Sequence, residues 1–488
     1  MAHDIIIRKL NESQAICSTE NVGILYELSE HLSFYVSGYK FMPAYKNKMW
    51  DGKIRLFDKR NGTFPAGLIG HVLEYLNRQN YSVNADIKEF MTSEVNEEMI
   101  DNFLDNEVVL NKKYEIRDYQ RKAVKRCLLD SRTFVLSATG SGKSLIIYLI
   151  FSFIREYLLE EDQKMMLIVP SLGLIEQMEE DFNDYSNGTY GKVHKIKSGA
   201  EKSNFPESTV ISTWQSASKI PALDMLKYGV VIGDEGHLFK AKSLTDIMNK
   251  LQNAKIRVGT SGSLDGTKVM KLQLIGLFGP IFVASKSAEL INRGILSEMK
   301  IQGIVLKHSK FKTKLNYQDE INYIISHEKR NQFINNLALS LKGNTLILFQ
   351  RVEDHGEQLY NLIKKKNKNT FYIHGGVKGE ERNAMRAKIE KLKKAIVVAS
   401  VGTTSTGVNI KNIHNIIFAS PTKSQIRVLQ SIGRGLRQST DGQALTVYDL
   451  IDKFASKREN FAFKHGQSRI EIYENEKFPY TLSEIVLD

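Results

Sequence analysis

Short apolar runs alternate with stretches of helical periodicity over most of the chain. A first series of strand-like runs occupies residues 134–136, 166–169, 210–212, 230–233 and 255–259. A second series occupies residues 345–349, 370–373, 395–399, 416–419 and 445–450. Helical segments between most of these runs favour parallel, doubly wound sheets. The pattern therefore predicts an α/β protein with two such domains in tandem.

The ends of the chain do not continue this alternation. Several short strand-like runs before residue 90 predict a small α+β domain at residues 1–90. An acidic stretch at 94–107 is interpreted as a linker or a surface helix leading into the first α/β domain, residues 91–300. The second α/β domain is predicted at 301–453, followed by a short helical extension at 454–488.

Composition restricts the partners and the compartment. The 488 residues carry 68 Lys and Arg against 55 Asp and Glu, a formal charge of +13, which favours a polyanionic partner, nucleic acid before membrane. Two cysteines, Cys17 and Cys127, are too few for a disulfide framework and fit a reducing interior. We expect a cytoplasmic protein without a membrane span, because neither a signal peptide nor a long apolar run occurs.

A glycine-rich turn follows the first strand-like run. Its residues are Thr139, Gly140, Ser141, Gly142, Lys143 and Ser144, and a long apolar helix pattern comes next. Backbone N–H groups of such a turn point at phosphate oxygens, and the helix dipole assists them. Lys143 would neutralise the β- and γ-phosphates of ATP, and the Ser144 hydroxyl would bind Mg²⁺. The strict pattern has Gly where this chain has Ser137.

A pair of carboxylates follows the apolar run 230–233. A carboxylate at the end of a buried parallel strand faces the crevice where ligands bind. Asp234 would hold Mg²⁺, partly through water, and Glu235 would orient and deprotonate the attacking water. His237 is a candidate sensor of the γ-phosphate, and its alternative interpretation is an ordinary hydrogen-bonded histidine.

The second α/β domain lacks a phosphate loop but offers arginines. Gln430, Arg434 and Arg437 fall on one face of a predicted helix. Forked guanidinium groups suit triphosphate binding, and an arginine supplied from a second domain accelerates hydrolysis. The alternative is a surface helix with salt bridges.

The order of these segments resembles the motif series of superfamily 2 helicases and translocases over about residues 112–453. The segments are 116–120, 138–144, 234–237, 260–263, 404–409 and 430–437. The resemblance implies two RecA-like domains with ATP between them. It also implies adenine contacts from Gln120 and Arg117, and contacts of Gly407 with the nucleotide. Thr260, Ser261, Gly262 and Ser263 would couple hydrolysis to domain movement, although the motif departs from the usual Ser-Ala-Thr.

The same resemblance implies a track for the nucleic-acid backbone. Its residues would be Ser171, Thr213, Gln215 and Thr406. The acidic motif ends in Gly-His, which favours DNA over RNA.

Residues outside these motifs narrow the resemblance to the UvsW-type recombination helicases of tailed phages. They are Gly38-Tyr39, Phe41, Trp50-Asp51-Gly52, Lys464-His465-Gly466 and Glu476-Lys477-Phe478. That family implies a DNA-dependent ATPase acting on forked and four-way DNA in the host cytoplasm, with a single-strand binding protein as a further candidate partner. Lys53 and Arg55 are the candidate DNA contacts of the amino-terminal domain, because cations and rings are interleaved there. The alternative is that the rings are core and the cations are merely solvated.

Two other functions remain open from the sequence. One is an RNA-directed helicase of the same fold. The other is a duplex-DNA translocase subunit of a restriction or remodelling assembly, which would move without separating strands. A purely structural junction-binding protein is disfavoured by the presence of Lys143, Glu235, Arg434 and Arg437.

Overall fold

A computed structural model describes most of the chain. The described residues are 3–36, 38–90, 95–197, 199–240, 242–262, 264, 268–296, 298–308, 315–405, 412–421, 444–455 and 458–487. Contacts divide the chain into two compact units. The first comprises Met1–Ser137 and Gly142–Ala284, and the second comprises Ala138–Ser141 and Ser285–Asp488.

The first unit begins with a small sheet covered by helices, which confirms the predicted α+β region. Its strands are β1 (Ile5–Lys9), β2 (Gln14–Ser18), β3 (Ser33–Tyr35), β4 (Lys53–Arg55), β5 (Thr63–Pro65) and β6 (Val83–Ala85), and its helices are α1 (Val22–His31), α2 (Pro43–Lys46) and α3 (Ile69–Arg78). The sheet has the order β5-β2-β1-β6, while β3 and β4 form a separate antiparallel pair. Ile5 and Ile7 alternate inward along β1, so one face of the small sheet is core.

A seven-stranded RecA-like sheet forms the rest of the first unit, in the order β13-β7-β12-β11-β8-β10-β9. Its strands are β7 (Arg132–Ser137), β8 (Lys164–Val169), β9 (His194–Ile196), β10 (Thr209–Thr213), β11 (Tyr228–Gly233), β12 (Ile256–Ser261) and β13 (Ile281–Ser285). The pairs from β7 through β9 are parallel. Their carboxyl ends therefore meet at one edge, as the sequence predicts.

The helices of this part flank the sheet. They are α4 (Glu97–Asn102), α5 (Asp118–Asp130), α6 (Lys143–Tyr157), α7 (Leu172–Tyr185), α8 (Trp214–Ala217), α9 (Ala222–Met225), α10 (Lys242–Lys250) and α11 (Lys268–Phe278). The acidic stretch is helical in α4, and it is more than a linker, because Ile100, Phe103 and Leu104 are buried in the core around α6.

The small sheet and the RecA-like sheet share one core. Leu272 and Ile275 of α11 pack in the same apolar cluster as Phe64 and Leu68. The approach is close, because a Cβ on Gly67 would lie 2.1 Å from the Ile275 carbonyl oxygen. Hence the amino-terminal domain is part of the same compact body as the first sheet.

The second unit contains another seven-stranded parallel sheet, in the order β16-β17-β15-β18-β19-β14-β20. Its strands are β14 (Met299–His308), β15 (Asn344–Phe349), β16 (Thr370–Ile373), β17 (Ile396–Ser400), β18 (Ile413–Phe418), β19 (Leu445–Phe454) and β20 (Tyr480–Val486). Its helices are α12 (Ser287–Asn292), α13 (Tyr317–Ser326), α14 (Glu328–Ser340), α15 (Gln358–Lys364), α16 (Gly379–Glu390), α17 (Val401–Ser405) and α18 (Phe461–Asn475).

The carboxyl-terminal extension contains the predicted helix, α18, and also a strand. β20 runs parallel to β14, with Gly303 opposite Leu482. A buried ion pair anchors α18, because the Arg469 guanidinium donates to both oxygens of Asp449 on β19 at 2.7 and 2.9 Å. The extension is therefore an integral part of the second sheet.

Short helical turns connect several elements, at Tyr39–Phe41, Ala66–Leu68, Ile87–Phe90, Phe103–Glu107, Gly236–Lys240 and Val352–Glu357. Within the described ranges, no helix combines the length and the apolar character needed to cross a bilayer.

Candidate functional site

The glycine-rich turn lies between β7 and α6. Gly140 and Gly142 have φ angles of +84° and +86°, a left-handed conformation that glycine adopts without steric cost. A Cβ on Gly142 would lie 2.5 Å from the Gln120 Nε2 atom. The backbone angle therefore favours glycine at position 142, and a side chain there would also displace the Gln120 amide.

Lys143 begins α6 and turns back toward the preceding strand. Its Nζ atom donates to the Ser137 carbonyl oxygen at 3.3 Å. Ser137 is fully buried and occupies the position where the strict pattern has Gly. Because the contact uses the backbone carbonyl, which every residue type has, the departure at 137 leaves this partner of Lys143 in place.

Ser144 has a hydrogen-bonding partner that the sequence does not indicate. Its Oγ atom lies 2.7 Å from the hydroxyl of Tyr185, the last residue of α7. Tyr185 is buried and packs edge-on against Tyr114. The hydroxyl expected to bind Mg²⁺ is therefore oriented by a tyrosine that is 41 residues away in sequence.

Asp234 follows β11, which is buried along its whole length. Its Oδ1 atom accepts a 2.8 Å hydrogen bond from the Thr260 hydroxyl at the end of β12. Burial raises the pKa of Asp234 to about 6, and the neighbouring Glu235 charge adds to the rise, whereas Lys143 and Thr260 lower it. The effects that raise the pKa outweigh those that lower it, so the charged form of Asp234 is disfavoured unless a cation lies nearby. The chemistry of this carboxylate therefore fits Mg²⁺.

Glu235 and His237 lie in the turn after Asp234. Glu235 has a φ of +52°, which is uncommon for a residue with a side chain and recurs at functional sites. The His237 Nδ1 atom lies 3.4 Å from Glu235 Oε2 and 3.1 Å from Ser261 Oγ. His237 thus joins the acidic motif to Ser261, and Gly262 follows directly in the chain.

Gln120 and Arg117 lie at the start of α5. The Gln120 Oε1 atom accepts from the backbone N–H of Arg117 at 2.9 Å, which caps the helix. Gln120 is buried with its amide against Gly142. The Arg117 Nη1 atom donates to the Tyr119 hydroxyl at 3.3 Å. The predicted adenine-contacting pair therefore lies beside the glycine-rich turn.

A groove of about 380 Å³ lies next to the ends of β8 and β10. Three residues predicted to contact the nucleic-acid backbone, Ser171, Thr213 and Gln215, line it. Gln215 is exposed, whereas Thr213 is buried and its hydroxyl accepts from the Ser216 backbone N–H at 3.4 Å. Thr213 therefore contributes to the groove mainly by capping α8.

Lysines that the sequence analysis did not single out line the same groove. They are Lys197, Lys202 and Lys219. Lys197 is ion-paired with Glu176. Lys202 and Lys219 have no carboxylate partner among the described residues, so their ammonium charges are available to phosphates.

The two candidate DNA contacts of the amino-terminal domain are engaged in ion pairs. Lys53 Nζ lies 2.5 Å from Glu30 Oε2, and Arg55 Nη2 lies 2.5 Å from Asp51 Oδ2. The hydrogen bond from Arg55 lowers the pKa of Asp51 to about 2. Because carboxylates already neutralise both cations, Lys53 and Arg55 are less suited to phosphates than their sequence context suggests.

Several predicted site residues lie outside the described part of the chain. These are Ser263, Thr406, Gly407, Gln430, Arg434 and Arg437. Their roles stay predictions.

Three family models match consecutive parts of the chain. "DNA helicase UvsW, N-terminal" matches residues 4–86, "Type III restriction enzyme, res subunit" matches 113–264, and "Helicase conserved C-terminal domain" matches 328–439. Together they follow the order of the amino-terminal sheet and the two RecA-like sheets.

Individual proteins and structures are also similar. The ATP-dependent DNA helicase uvsW of Enterobacteria phage T4 is 35% identical over 485 residues, covering 95% of this chain and 96% of that protein. The crystal structure of T4 UvsW matches with a TM-score of 0.53 at 33% identity, covering 99% of this chain and 100% of that chain. A putative helicase of a Sulfolobus islandicus filamentous virus is 26% identical over 387 residues, covering 72% of this chain and 67% of that protein. This chain therefore belongs to the UvsW family of superfamily 2 helicases.

Proposed function

We propose that this chain is an ATP-dependent DNA helicase that unwinds or branch-migrates forked and junction DNA in recombination, repair or fork processing. The observation that carries the proposal is the connected site, in which Lys143, Asp234 and Thr260 interact at the carboxyl ends of β7, β11 and β12. The similarity to a phage DNA helicase over nearly the whole chain supports DNA as the substrate.

In the proposed reaction, Lys143 neutralises the β- and γ-phosphates of ATP while the amides of the glycine-rich turn bind their oxygens. Ser144 and Asp234 would hold Mg²⁺, which screens phosphate charge when bound. Glu235 accepts a proton from the attacking water and orients it toward the γ-phosphate. Gln120 and Arg117 would contact the adenine.

ATP hydrolysis would be coupled to domain movement through the end of β12. Thr260 and Ser261 contact the acidic motif directly, so loss of the γ-phosphate is expected to change the position of this strand end. Gln430, Arg434 and Arg437 would complete the site from the second RecA-like domain. Gly407 would contact the nucleotide, and Ser263 would take part in coupling hydrolysis to domain movement.

The DNA backbone would lie along the groove that contains Ser171 and Gln215, with Lys202 and Lys219 contacting phosphates. Thr406 would continue this track in the second RecA-like domain. Contacts to phosphates carry little sequence information, so recognition would follow DNA structure. Binding should weaken steeply with salt.

We also propose the functional division into residues 1–90, 91–300, 301–453 and 454–488. In it, the first part contributes DNA contacts and the second binds ATP. The third supplies arginines, and the fourth reinforces the third. A single-strand binding protein is a further proposed partner, to be sought by co-sedimentation with the full chain.

The experiment that tests the function is strand separation of a labelled fork with ATP and Mg²⁺. Wild-type protein should release the strand, whereas Glu235→Gln should bind the fork but release none, because water activation is lost. Glu180→Gln, an exposed glutamate on α7, is the matched control for charge. Equal strand release by Glu235→Gln and wild type would contradict the proposal.

One observation favours a second candidate function. The family model that matches residues 113–264 describes a restriction-enzyme subunit. A duplex translocase of that kind would hydrolyse ATP on linear duplex without releasing a strand from the fork.

A further inference from the structure

Residues 38–52, which connect β3 to β4, form a compact segment that we call the tip. Hydrogen bonds close it at both ends, because the Val36 N–H donates to the Gly52 carbonyl at 2.9 Å and the Trp50 indole donates to the Lys53 carbonyl at 2.8 Å. Within it, the Met49 N–H donates to the Ala44 carbonyl at 2.9 Å. The tip is therefore an ordered structure with its own backbone hydrogen bonds.

The tip is built around Tyr39. This ring stacks on Tyr35 at 4.6 Å and meets Tyr45 edge-on at 4.7 Å. Gly52 has a φ of +83°, and a Cβ there would lie 2.3 Å from the Tyr39 ring. The contacts of Tyr39 therefore join the two ends of the segment to its middle.

Several other side chains of the tip are apolar and point into solvent. Phe41 is 80% exposed and Met49 is 77% exposed, and Met42 is exposed as well. Groups this exposed add little to folding stability, and clusters of exposed apolar side chains commonly mark binding surfaces. An ordered segment that presents such groups is better explained by a partner than by the fold.

The charge around the tip is positive. Lys40, Lys46 and Lys48 are exposed and have no carboxylate partner among the described residues. The two nearby acids are already neutralised, since Asp51 pairs with Arg55 and Glu30 pairs with Lys53. An exposed phenylalanine in a segment with three exposed lysines suits a ligand that has both flat apolar faces and negative charge.

We propose that the tip binds unpaired bases at a DNA branch point. Phe41 stacks on a base, Met42 and Met49 cover its edge, and Lys40, Lys46 and Lys48 contact the flanking phosphates. Unpaired nucleotides expose the base face that a duplex hides, so the tip distinguishes forks from linear duplex. This inference rests on the proposed DNA helicase function and assigns the fork recognition to a specific surface.

The test measures binding of the full chain to a fluorescent fork with unpaired arms and to linear duplex of the same length. Phe41→Ala/Met49→Ala should bind the fork at least about fivefold more weakly, the lower end of what one stacked base contributes, and bind duplex within twofold of wild type. Leu223→Ala, which removes an equally exposed side chain outside the tip, should bind both DNAs like wild type. An unchanged melting temperature establishes that the variants are folded.

A second variant detects stacking directly. Phe41→Trp should retain fork binding, and its added fluorescence should be quenched by the fork but not by duplex. Replacing Lys40, Lys46 and Lys48 with Gln should lower the dependence of fork affinity on salt. Fork affinity of Phe41→Ala/Met49→Ala equal to wild type, or wild type without a preference for forks, would overturn the inference. The outcome is separable from the proposed function, because the maximal rate of ATP hydrolysis at saturating single-stranded DNA should be the same in the tip variants and in wild type.

Discussion

The Thr260 hydroxyl donates a 2.8 Å hydrogen bond to the Asp234 carboxylate, and this bond joins the carboxyl ends of two neighbouring strands, β12 and β11. A second contact lies one residue further along β12 and three residues further along the acidic motif, because His237 Nδ1 lies 3.1 Å from Ser261 Oγ. The acidic motif thus contacts the following strand at two points. A change at the expected Mg²⁺ ligand would be transmitted to β12 through both.

The Ser261 contact should matter more for movement than for hydrolysis. Ser261→Ala removes the hydroxyl that His237 contacts but leaves Lys143, Asp234 and Glu235 in place. We expect ATP hydrolysis within about fivefold of wild type, since one hydrogen bond contributes roughly 1 kcal/mol, and a clear fall in strands separated per ATP. Phosphate release and strand separation are measured in the same reaction, with Ser340→Ala of α14 as the control. A proportional fall in both rates would show that the contact serves hydrolysis alone.

Removal of the Lys143 ammonium should abolish hydrolysis. Lys143→Ala leaves phosphate charge uncompensated as it develops, so we expect kcat to fall about 1,000-fold or more, with DNA affinity within about threefold. Steady-state ATP hydrolysis and fork binding are measured together. Lys122→Ala, an exposed lysine on α5, is the control. Unchanged turnover in Lys143→Ala would disprove the site assignment.

The Tyr185 hydroxyl should affect the Mg²⁺ requirement. Tyr185→Phe removes the partner that orients the Ser144 hydroxyl, so we expect roughly 2- to 10-fold more Mg²⁺ for half-maximal binding of a fluorescent ATP analogue, the effect of one net hydrogen bond. Tyr114→Phe is the control, because its hydroxyl bonds Asp184 instead. An equal or lower Mg²⁺ requirement in Tyr185→Phe would contradict this role.

The amino-terminal domain and the first RecA-like sheet should unfold together. Two buried polar contacts reinforce their shared core: Arg257 donates to Ser13 Oγ at 2.7 Å, and Arg132 lies 2.7 Å from Glu12. The chain has two tryptophans, Trp50 in the amino-terminal domain and Trp214 in α8, beside the first RecA-like sheet. With either one replaced by Phe, the remaining fluorescence should report the same urea midpoint.

Arg257→Met extends this prediction. It leaves buried carbonyls of Met248, Leu251 and Ala254 without their donor. We expect both tryptophan midpoints to move down together, by an amount equivalent to about 2–4 kcal/mol. Arg78→Met, which removes an exposed arginine of α3, is the control. Two separate midpoints in the wild-type background would show that the domains are independent.

The second unit should become less stable as the pH falls below about 6.5. His355 is buried, with Nδ1 3.0 Å from Ser420 Oγ. Burial lowers its pKa to about 3, and the nearby Arg330 lowers it further, while Asp452 opposes this. Below its unfolded pKa of about 6.5, the unfolded chain binds a proton that the native state excludes. The free energy of unfolding should therefore decrease as the pH falls, by about 2 kcal/mol at pH 5 relative to neutral or higher pH.

Hydrogen exchange of β15 amides at pH 7.5 and pH 5 measures this effect, after correction for the intrinsic exchange rate. His355→Asn should remove most of the loss between these pH values. Burial raises the pKa of Asp452, but Arg330 and His308 together lower it to about 2. The stability that Asp452 contributes is therefore still present at pH 5 and is lost only as the pH falls below about 4. Equal pH dependence in His355→Asn and wild type would rule out His355 as the source.

The sequence predicts strands well where apolar residues are consecutive. The run 345–349 falls within β15, and the run 370–373 coincides with β16. β13 is an exception, because it is missed although its first four residues are apolar. The other missed strands carry a different pattern. β14 contains Lys300, Gln302 and Gly303, and β20 is mostly exposed, so both are strands because of their pairing partners rather than their own periodicity. β9 is too short to give a pattern.

The residues of the candidate site also fall into those that the sequence predicts and those that it does not. Lys143, Ser144, Asp234 and Glu235 can be predicted because each lies in a short continuous motif. Tyr185 cannot, because its contact with Ser144 depends on how α7 packs against α6. The ion pair of Lys53 with Glu30 is equally non-local, so composition indicates a free cation where the structure has a neutralised one.

The most direct test of the account is steady-state ATP hydrolysis by the purified chain. It would be measured without nucleic acid and then with single-stranded DNA, linear duplex, a four-way junction and RNA at equal nucleotide concentration. We predict strong stimulation by forked or junction DNA and weak stimulation by RNA. Stimulation by linear duplex alone would contradict the helicase assignment in favour of a translocase, and dominance of RNA would contradict DNA as the substrate.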